Sequence, residues 1–161
     1  MAIAHPSGEA FERGSSEART TAAAVPFVSI VMPCLNERET VVTCVKKALG
    51  WIQGSGYGGE VVVVDNGSSD GSAELAAEAG ARVVHEIVRG YGAALRRGFS
   101  EARGNWLVMG DCDDTYDFSQ LDGLTSPLGE GYDMVVGNRF AGGIAPGAMT
   151  WSHRYIGTPA I

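Results

Sequence analysis

The sequence predicts an α/β domain built on an open, mostly parallel sheet with helices on both faces. Three observations carry this expectation. Apolar runs of strand length alternate with helix-length segments five times after residue 26, and such alternation builds right-handed βαβ units. One run, Val61-Val62-Val63-Val64, is continuously β-branched, as in a strand covered on both faces. Polar clusters follow four of the runs, and in a parallel sheet those carboxyl ends share one edge, where ligands bind.

Taken in order, residues 1–25 are rich in Ala, Ser, Glu and Arg without a clean period and read as a disordered leader. The domain proper is expected over residues 26–140. Phe27 to Pro33 is its first strand, closed by a proline that cannot continue the ladder. The turn Cys34-Leu35-Asn36-Glu37 leads to a helix from Glu39 to Trp51 with Val42, Val45, Ala48 and Leu49 on its inner side. A glycine-rich loop precedes the strand Glu60 to Asp65, and Asn66 to Gly71 turns into a short helix from Ser72 to Ala79 stopped by Gly80. Ala81 to Val88 is the third strand, and Gly90-Tyr91-Gly92 opens a helix that runs to Arg103. The fourth strand is the apolar run that opens the stretch Asn105 to Thr115, and it ends on Asp111, Asp113 and Asp114. A helical piece from Ser119 to Leu124 and a last strand from Tyr132 to Gly137 complete the pattern. Residues 141–147 are a flexible loop, and the chain reads as cut off at Ile161.

A length of 161 residues is one domain's worth of chain, and 45% hydrophobic with 19% charged residues is ordinary for a soluble globular protein. The net charge of −7 argues against nucleic acid as a partner, because phosphates want a basic face. An anionic substrate would need a metal, an arginine or a helix N-terminus. Cys34, Cys44 and Cys112 are odd in number and lack zinc spacing, which points to reduced thiols in a reducing compartment, with Cys34 and Cys112 packing near strand ends. No run approaches the roughly 18 apolar residues that span a bilayer. No basic region with an apolar core marks a secretory signal.

The strongest chemical candidate is the pair Asp111 and Asp113. Side chains two apart on extended backbone point the same way, so both can hold one Mg²⁺ or Mn²⁺ with substrate phosphates, while Asp114 faces elsewhere. An acidic loop that only caps the next turn is the competing reading. Glu37 and Asp65 are acceptor-only carboxylates suited to ribose hydroxyls or a base N–H; equally, Asp65 and Ser68 can cap the turn and helix that follow. Gly90 and Gly92 at a helix start can bring backbone N–H groups to a phosphate. A dinucleotide fingerprint is disfavoured there, because its third glycine position is Leu95, which would obstruct close helix–strand packing. Arg139 is either a phosphate clamp at the same edge or a surface ion pair. His85 reads as a packing or surface residue.

Together the motifs Val-Ser-Ile-Val-Met-Pro-Cys-Leu-Asn-Glu (28–37), Val-Val-Val-Asp-Asn-Gly-Ser-Ser-Asp-Gly (62–71), Arg-Gly-Tyr-Gly-Ala-Ala-Leu (89–95), Met-Gly-Asp-Cys-Asp-Asp-Thr-Tyr-Asp (109–117) and Val-Gly-Asn-Arg-Phe (136–140) resemble the family 2 glycosyltransferases with the GT-A, Rossmann-like fold. The branch they look most similar to makes dolichol-phosphate and undecaprenyl-phosphate sugars. The resemblance implies inverting transfer of a sugar from a UDP- or GDP-sugar to a polyprenyl phosphate, helped by Mg²⁺ or Mn²⁺. It implies that Pro33, Leu35, Asn36, Glu37 and Asp65 line the nucleoside pocket with Gly90 and Gly92 nearby, that Asp111 and Asp113 hold the metal on the diphosphate, and that Arg139 meets the acceptor phosphate. Asp113 is the nearest candidate if a base is used. Residues 141–161 then resemble the start of an incomplete acceptor-side, membrane-proximal segment. A peripheral location at the cytoplasmic face of a membrane and a homo-oligomer are compatible with the resemblance. The alternative is a non-catalytic nucleotide-sugar-binding fragment without the acceptor half.

Overall fold

The computed structural model of the chain describes residues 2–4 and 28–137. In chain order they form β1 (Ala2–Ala4), β2 (Val28–Cys34), α1 (Val41–Ser55), β3 (Gly59–Asp65), α2 (Ser72–Glu78), β4 (Arg82–His85), α3 (Tyr91–Glu101), β5 (Trp106–Met109), α4 (Asp122–Gly129) and β6 (Met134–Val136). One sheet runs β4-β3-β2-β5-β1-β6. The first four of these strands pair in parallel, and β1 is antiparallel to both β5 and β6.

The expected α/β sheet is therefore present, with both faces covered. Strand alternation divides the valines cleanly. Val28, Ile30 and Met32 of β2 join Val61 and Val63 of β3 in a core shared with α1 and α4, while Val31, Val62 and Val64 pack with Ala94 of α3 on the other face. Close approach of α3 depends on Gly98, where a Cβ would lie 2.4 Å from Val31 Cγ1 and 2.9 Å from Val64 Cγ2. Leu95, at the third glycine position of a dinucleotide fingerprint, is not where the helix approaches the sheet; Gly98, three residues later and nearly one turn on, is.

Three differences from the expected elements have physical causes. Helix α1 continues to Ser55, through Gly54, which a composition-based reading gives to a loop, and stops where Gly56 adopts φ 75°. Strand β4 is shorter than expected and ends at His85, because the following residues leave the sheet, Ile87 being 92% exposed. Finally, Ala2–Ala4 lies inside the segment read as a disordered leader, yet forms a strand between β5 and β6. Three residues are too few to show a period, and their place is set by backbone groups of two neighbouring strands that need partners. The other residues of that leader, and the whole of 141–161, lie outside the described residues.

Candidate functional site

The parallel register brings the carboxyl ends of β2, β3 and β5 to one edge, and side chains lace the loops there together. Asn36 sits at φ 60°; its backbone N–H donates to Ser68 Oγ at 3.0 Å, and its Oδ1 accepts from Ser69 N at 2.8 Å. The Glu37 N–H donates to Ser72 Oγ at 2.9 Å, and the Arg38 N–H to Asp70 Oδ2 at 3.1 Å. The β2–α1 and β3–α2 loops are thus one rigid unit.

Asp65 holds the second loop from inside. It is buried, and its carboxylate accepts from Ser68 N at 3.0 Å and Gly67 N at 3.3 Å, with His85 Nδ1 at 3.2 Å. Burial works against its charge, but the hydrogen bonds from Ser68, His85 and Gly67 outweigh that and hold the carboxyl below its ordinary range. Asn66, next in the chain, donates to Glu86 O and Val88 O and accepts from Gly90 N at 2.7 Å. This fastens the segment between β4 and α3 and fixes Gly90 at φ 130°, where a side chain would be strained.

These elements enclose a cavity of about 340 Å³. Pro33, Leu35 and Glu37 from the end of β2, Gly90 and Tyr91 from the start of α3, and Asp111 and Asp113 after β5 all line it. Asn36, Asp65 and Gly92 are not on the lining: Asn36 and Asp65 brace the loops behind it. Arg139 lies outside the described residues. Arg89 also lines the cavity, with its guanidinium packed over Gly67. A larger hollow, about 430 Å³, runs along the outer side of α1 past Lys46 and Trp51 and contains none of the strand-end residues.

The acidic end is built from several directions. Thr40, just before α1, donates to the Cys112 carbonyl at 2.7 Å. Asp111 Oδ1 accepts from the Tyr91 hydroxyl at 2.7 Å; burial and this bond push the phenol well above its ordinary pKa. Asp113 Oδ1 accepts from Thr115 N at 2.9 Å. Asp114 adopts φ 61° and turns away to Lys47 at 2.8 Å, so its carboxylate faces elsewhere. Cys34 and Cys112, both buried, lie side by side on the cavity floor. Their mutual influence lowers the pKa of Cys34 and, with burial, raises that of Cys112.

The donor set fits a hard divalent cation. Asp111 and Asp113 open on the same cavity, and among the described residues only one oxygen of each carboxylate is engaged. No three His, Cys, Asp or Glu side chains among the described residues form a metal site by themselves, so a cation here would complete its shell with ligand oxygens, the habit of Mg²⁺ with phosphates.

Tyr91, Asn66 and Thr40 were not among the residues picked from sequence. Tyr91 carried a signal, since it lies between the two glycines that were picked. Thr40 carried none: its partner is 72 residues away in the chain.

Comparison with known proteins agrees with this architecture. A sequence model of the family described as Glycosyl transferase family 2 matches residues 29–160. The chain is 39% identical over 137 residues to the low-salt glycan biosynthesis hexosyltransferase of Haloferax volcanii, covering 84% of the chain and 33% of that protein. It is 34% identical over 118 residues to the undecaprenyl-phosphate 4-deoxy-4-formamido-L-arabinose transferase of Edwardsiella ictaluri, covering 69% and 36%. The chain therefore spans about a third of the length of these curated relatives. Among solved structures, glucosyl-3-phosphoglycerate synthase from Mycobacterium tuberculosis, in complex with Mn²⁺, UDP and glucosyl-3-phosphoglycerate, superposes with a TM-score of 0.57 at 28% identity, covering 64% of the chain and 39% of the synthase.

Proposed function

The chain belongs to glycosyl transferase family 2, and from that premise we propose that its strand-end cavity binds a UDP- or GDP-sugar with a divalent metal, for inverting transfer of the sugar to a polyprenyl phosphate. The observation that carries the reading is the pair Asp111 and Asp113 opening on one cavity shared with Glu37 and with the start of α3. Support for the donor comes from the synthase crystallised with Mn²⁺ and UDP. Support for the acceptor comes from the undecaprenyl-phosphate transferase.

In this mechanism Pro33, Leu35 and Glu37 receive the nucleoside, with Asn36 and Asp65 holding their loops in place. The N–H groups at the start of α3, led in by Gly90, face the diphosphate, where a helix N-terminus favours negative charge. Asp111 and Asp113 would hold Mg²⁺ or Mn²⁺, which when bound neutralises charge on the departing nucleoside diphosphate. An acceptor phosphate oxygen attacks the anomeric carbon from the face opposite the diphosphate. The new C–O bond forms as the bond to the diphosphate oxygen breaks, and the nucleoside diphosphate leaves with the electron pair. Because that phosphate is anionic at neutral pH, no strong base is needed; if one is used, Asp113 fills the role. Arg139 is assigned to the acceptor phosphate. Membrane contact follows from the acceptor, and no helix among the described residues is long and apolar enough to cross a membrane.

A second reading is favoured by one fact, that the relatives are far longer than the stretch they share with this chain: a donor-binding portion that transfers nothing by itself. Incubation with labelled UDP- and GDP-sugars, Mn²⁺ and a polyprenyl phosphate separates the two. Label in the lipid fraction, absent for Asp113→Asn, supports transfer. Donor binding without labelled lipid supports the second reading.

A further inference from the structure

We propose that Cys34 and Cys112 form a site of reversible two-electron oxidation, closing a disulfide across the floor of the cavity. The strand register carries the inference. Strands β2 and β5 pair in parallel from Val28↔Trp106 to Val31↔Met109, and the Gly110 N–H continues the ladder to Val31 O at 3.3 Å. Extended three residues past the last paired position, the same register would bring Cys34 level with Cys112, and the contact of Cys112 Sγ with Pro33 O places the two residues close together. Neighbouring strands lie about 4.8 Å apart, inside the Cα separation of roughly 4.4–6.8 Å that a disulfide spans. The Cys112 thiol donates at 3.1 Å to the carbonyl of Pro33, the residue before Cys34.

Access distinguishes this pair from the third cysteine. Cys34 and Cys112 are 2% and 1% exposed, yet both line the cavity, which is open to small molecules. Cys44 is fully buried inside α1 and does not reach the cavity. The oxidant is a small peroxide. Cys34 sulfur attacks one peroxide oxygen, the O–O bond breaks, and the first water departs, leaving a sulfenic acid. Cys112 sulfur then attacks the Cys34 sulfur and expels the second water. Two thiols and one hydrogen peroxide give one disulfide and two waters, and a dithiol reverses the change by exchange.

Cys112 stands between Asp111 and Asp113, so drawing its sulfur to about 2.05 Å from Cys34 breaks its bond to Pro33 O and displaces both carboxylates. The consequence for donor binding rests on the proposed function; formation of the bond does not.

The test uses the full chain with equimolar hydrogen peroxide, circular dichroism to establish that it stays folded, thiol counting after denaturation, and peptide mapping. The expected result is a fall from three free thiols to one, with the Cys34 and Cys112 peptides joined and dithiothreitol restoring all three. Cys34→Ser and Cys112→Ser should each abolish the linked peptide. Oxidation at Cys44, over-oxidation without a link, or no thiol loss in a folded chain would overturn the site. Mn²⁺-dependent UDP affinity should drop at least tenfold in the linked form. A linked chain of unchanged affinity would overturn the control of binding, whereas a reduced chain that binds no nucleotide would count against the donor reading, with the thiol count still deciding the disulfide.

Discussion

Asp65 and the acidic pair Asp111 and Asp113 illustrate two kinds of carboxylate at one edge. The hydrogen bonds to Ser68 and Gly67 give Asp65 a structural task before any ligand arrives. Its folded carboxyl titrates below the ordinary 3.8, so its contribution to stability is complete above that pH and is lost as pH falls through the lower folded value. Asp65→Asn turns an amide donor toward N–H groups and should cost about 1–3 kcal/mol at pH 7. In urea denaturation the gap between variant and parent should close as pH falls below 3.8; a gap that persists there would mean the charge of Asp65 is not the cause. Asp111→Asn should spare stability to within about 0.5 kcal/mol, as for a residue outside the core, and should abolish metal-dependent nucleotide binding. At this scale the i, i+2 spacing made the acidic pair legible, because alternation on extended backbone is local. Asp65 left two readings open in sequence, and its hydrogen bonds show it capping the turn, not the helix that follows. Thr40 was illegible because what it holds, the Cys112 carbonyl, is brought to it only by the fold.

At the scale of elements, α3 is the helix whose seating sets the far wall of the cavity. Its distance from the sheet is limited by Gly98, and Gly98→Ala would drive a methyl into Val31 and Val64. The expected cost is about 1–3 kcal/mol, the range for overpacking a full core, read as a lower urea midpoint at unchanged slope. Gly92→Ala on the same helix meets nothing within 4 Å and should gain about 0.5–1 kcal/mol from helix propensity. Equal effects at the two positions would contradict the close approach of α3. Strand and helix order was readable because apolar runs and turn residues alternate in the chain itself. Element ends were less so: α1 runs through Gly54 because its inner face, with Trp51 and Ile52 buried, continues to find the core, and tertiary burial outweighs a glycine penalty of about 1 kcal/mol. The position of β1 was invisible, since neighbouring strands rather than its own three residues create the place it fills.

Across the whole molecule, four separate turns converge because parallel strands deliver their carboxyl ends to one edge. The protein carries a net charge of −7, and the cavity proposed to take a nucleotide sugar is lined by the carboxylates of Glu37, Asp111 and Asp113 with Arg89 as the one cation on its lining among the described residues. That balance makes an absolute demand for a cation: without metal, a nucleoside diphosphate would meet like charge in the site, so its affinity should fall steeply when metal is chelated. Family membership and the sheet were both legible from motif order. The site's boundaries were legible only in part, since sequence marks which residues stand at strand ends and not which of them turn inward, as Glu37 does, or brace from behind, as Asn36 does.

The most direct test of that demand is calorimetric titration of UDP and of GDP into the folded chain with Mn²⁺, with a chelator in its place, and with Asp111→Asn/Asp113→Asn. The expected result is binding of one nucleotide with Mn²⁺, a loss of at least a hundredfold in chelator, and no binding to the double variant. Equal affinity with and without metal, or undiminished binding by the variant, would contradict it.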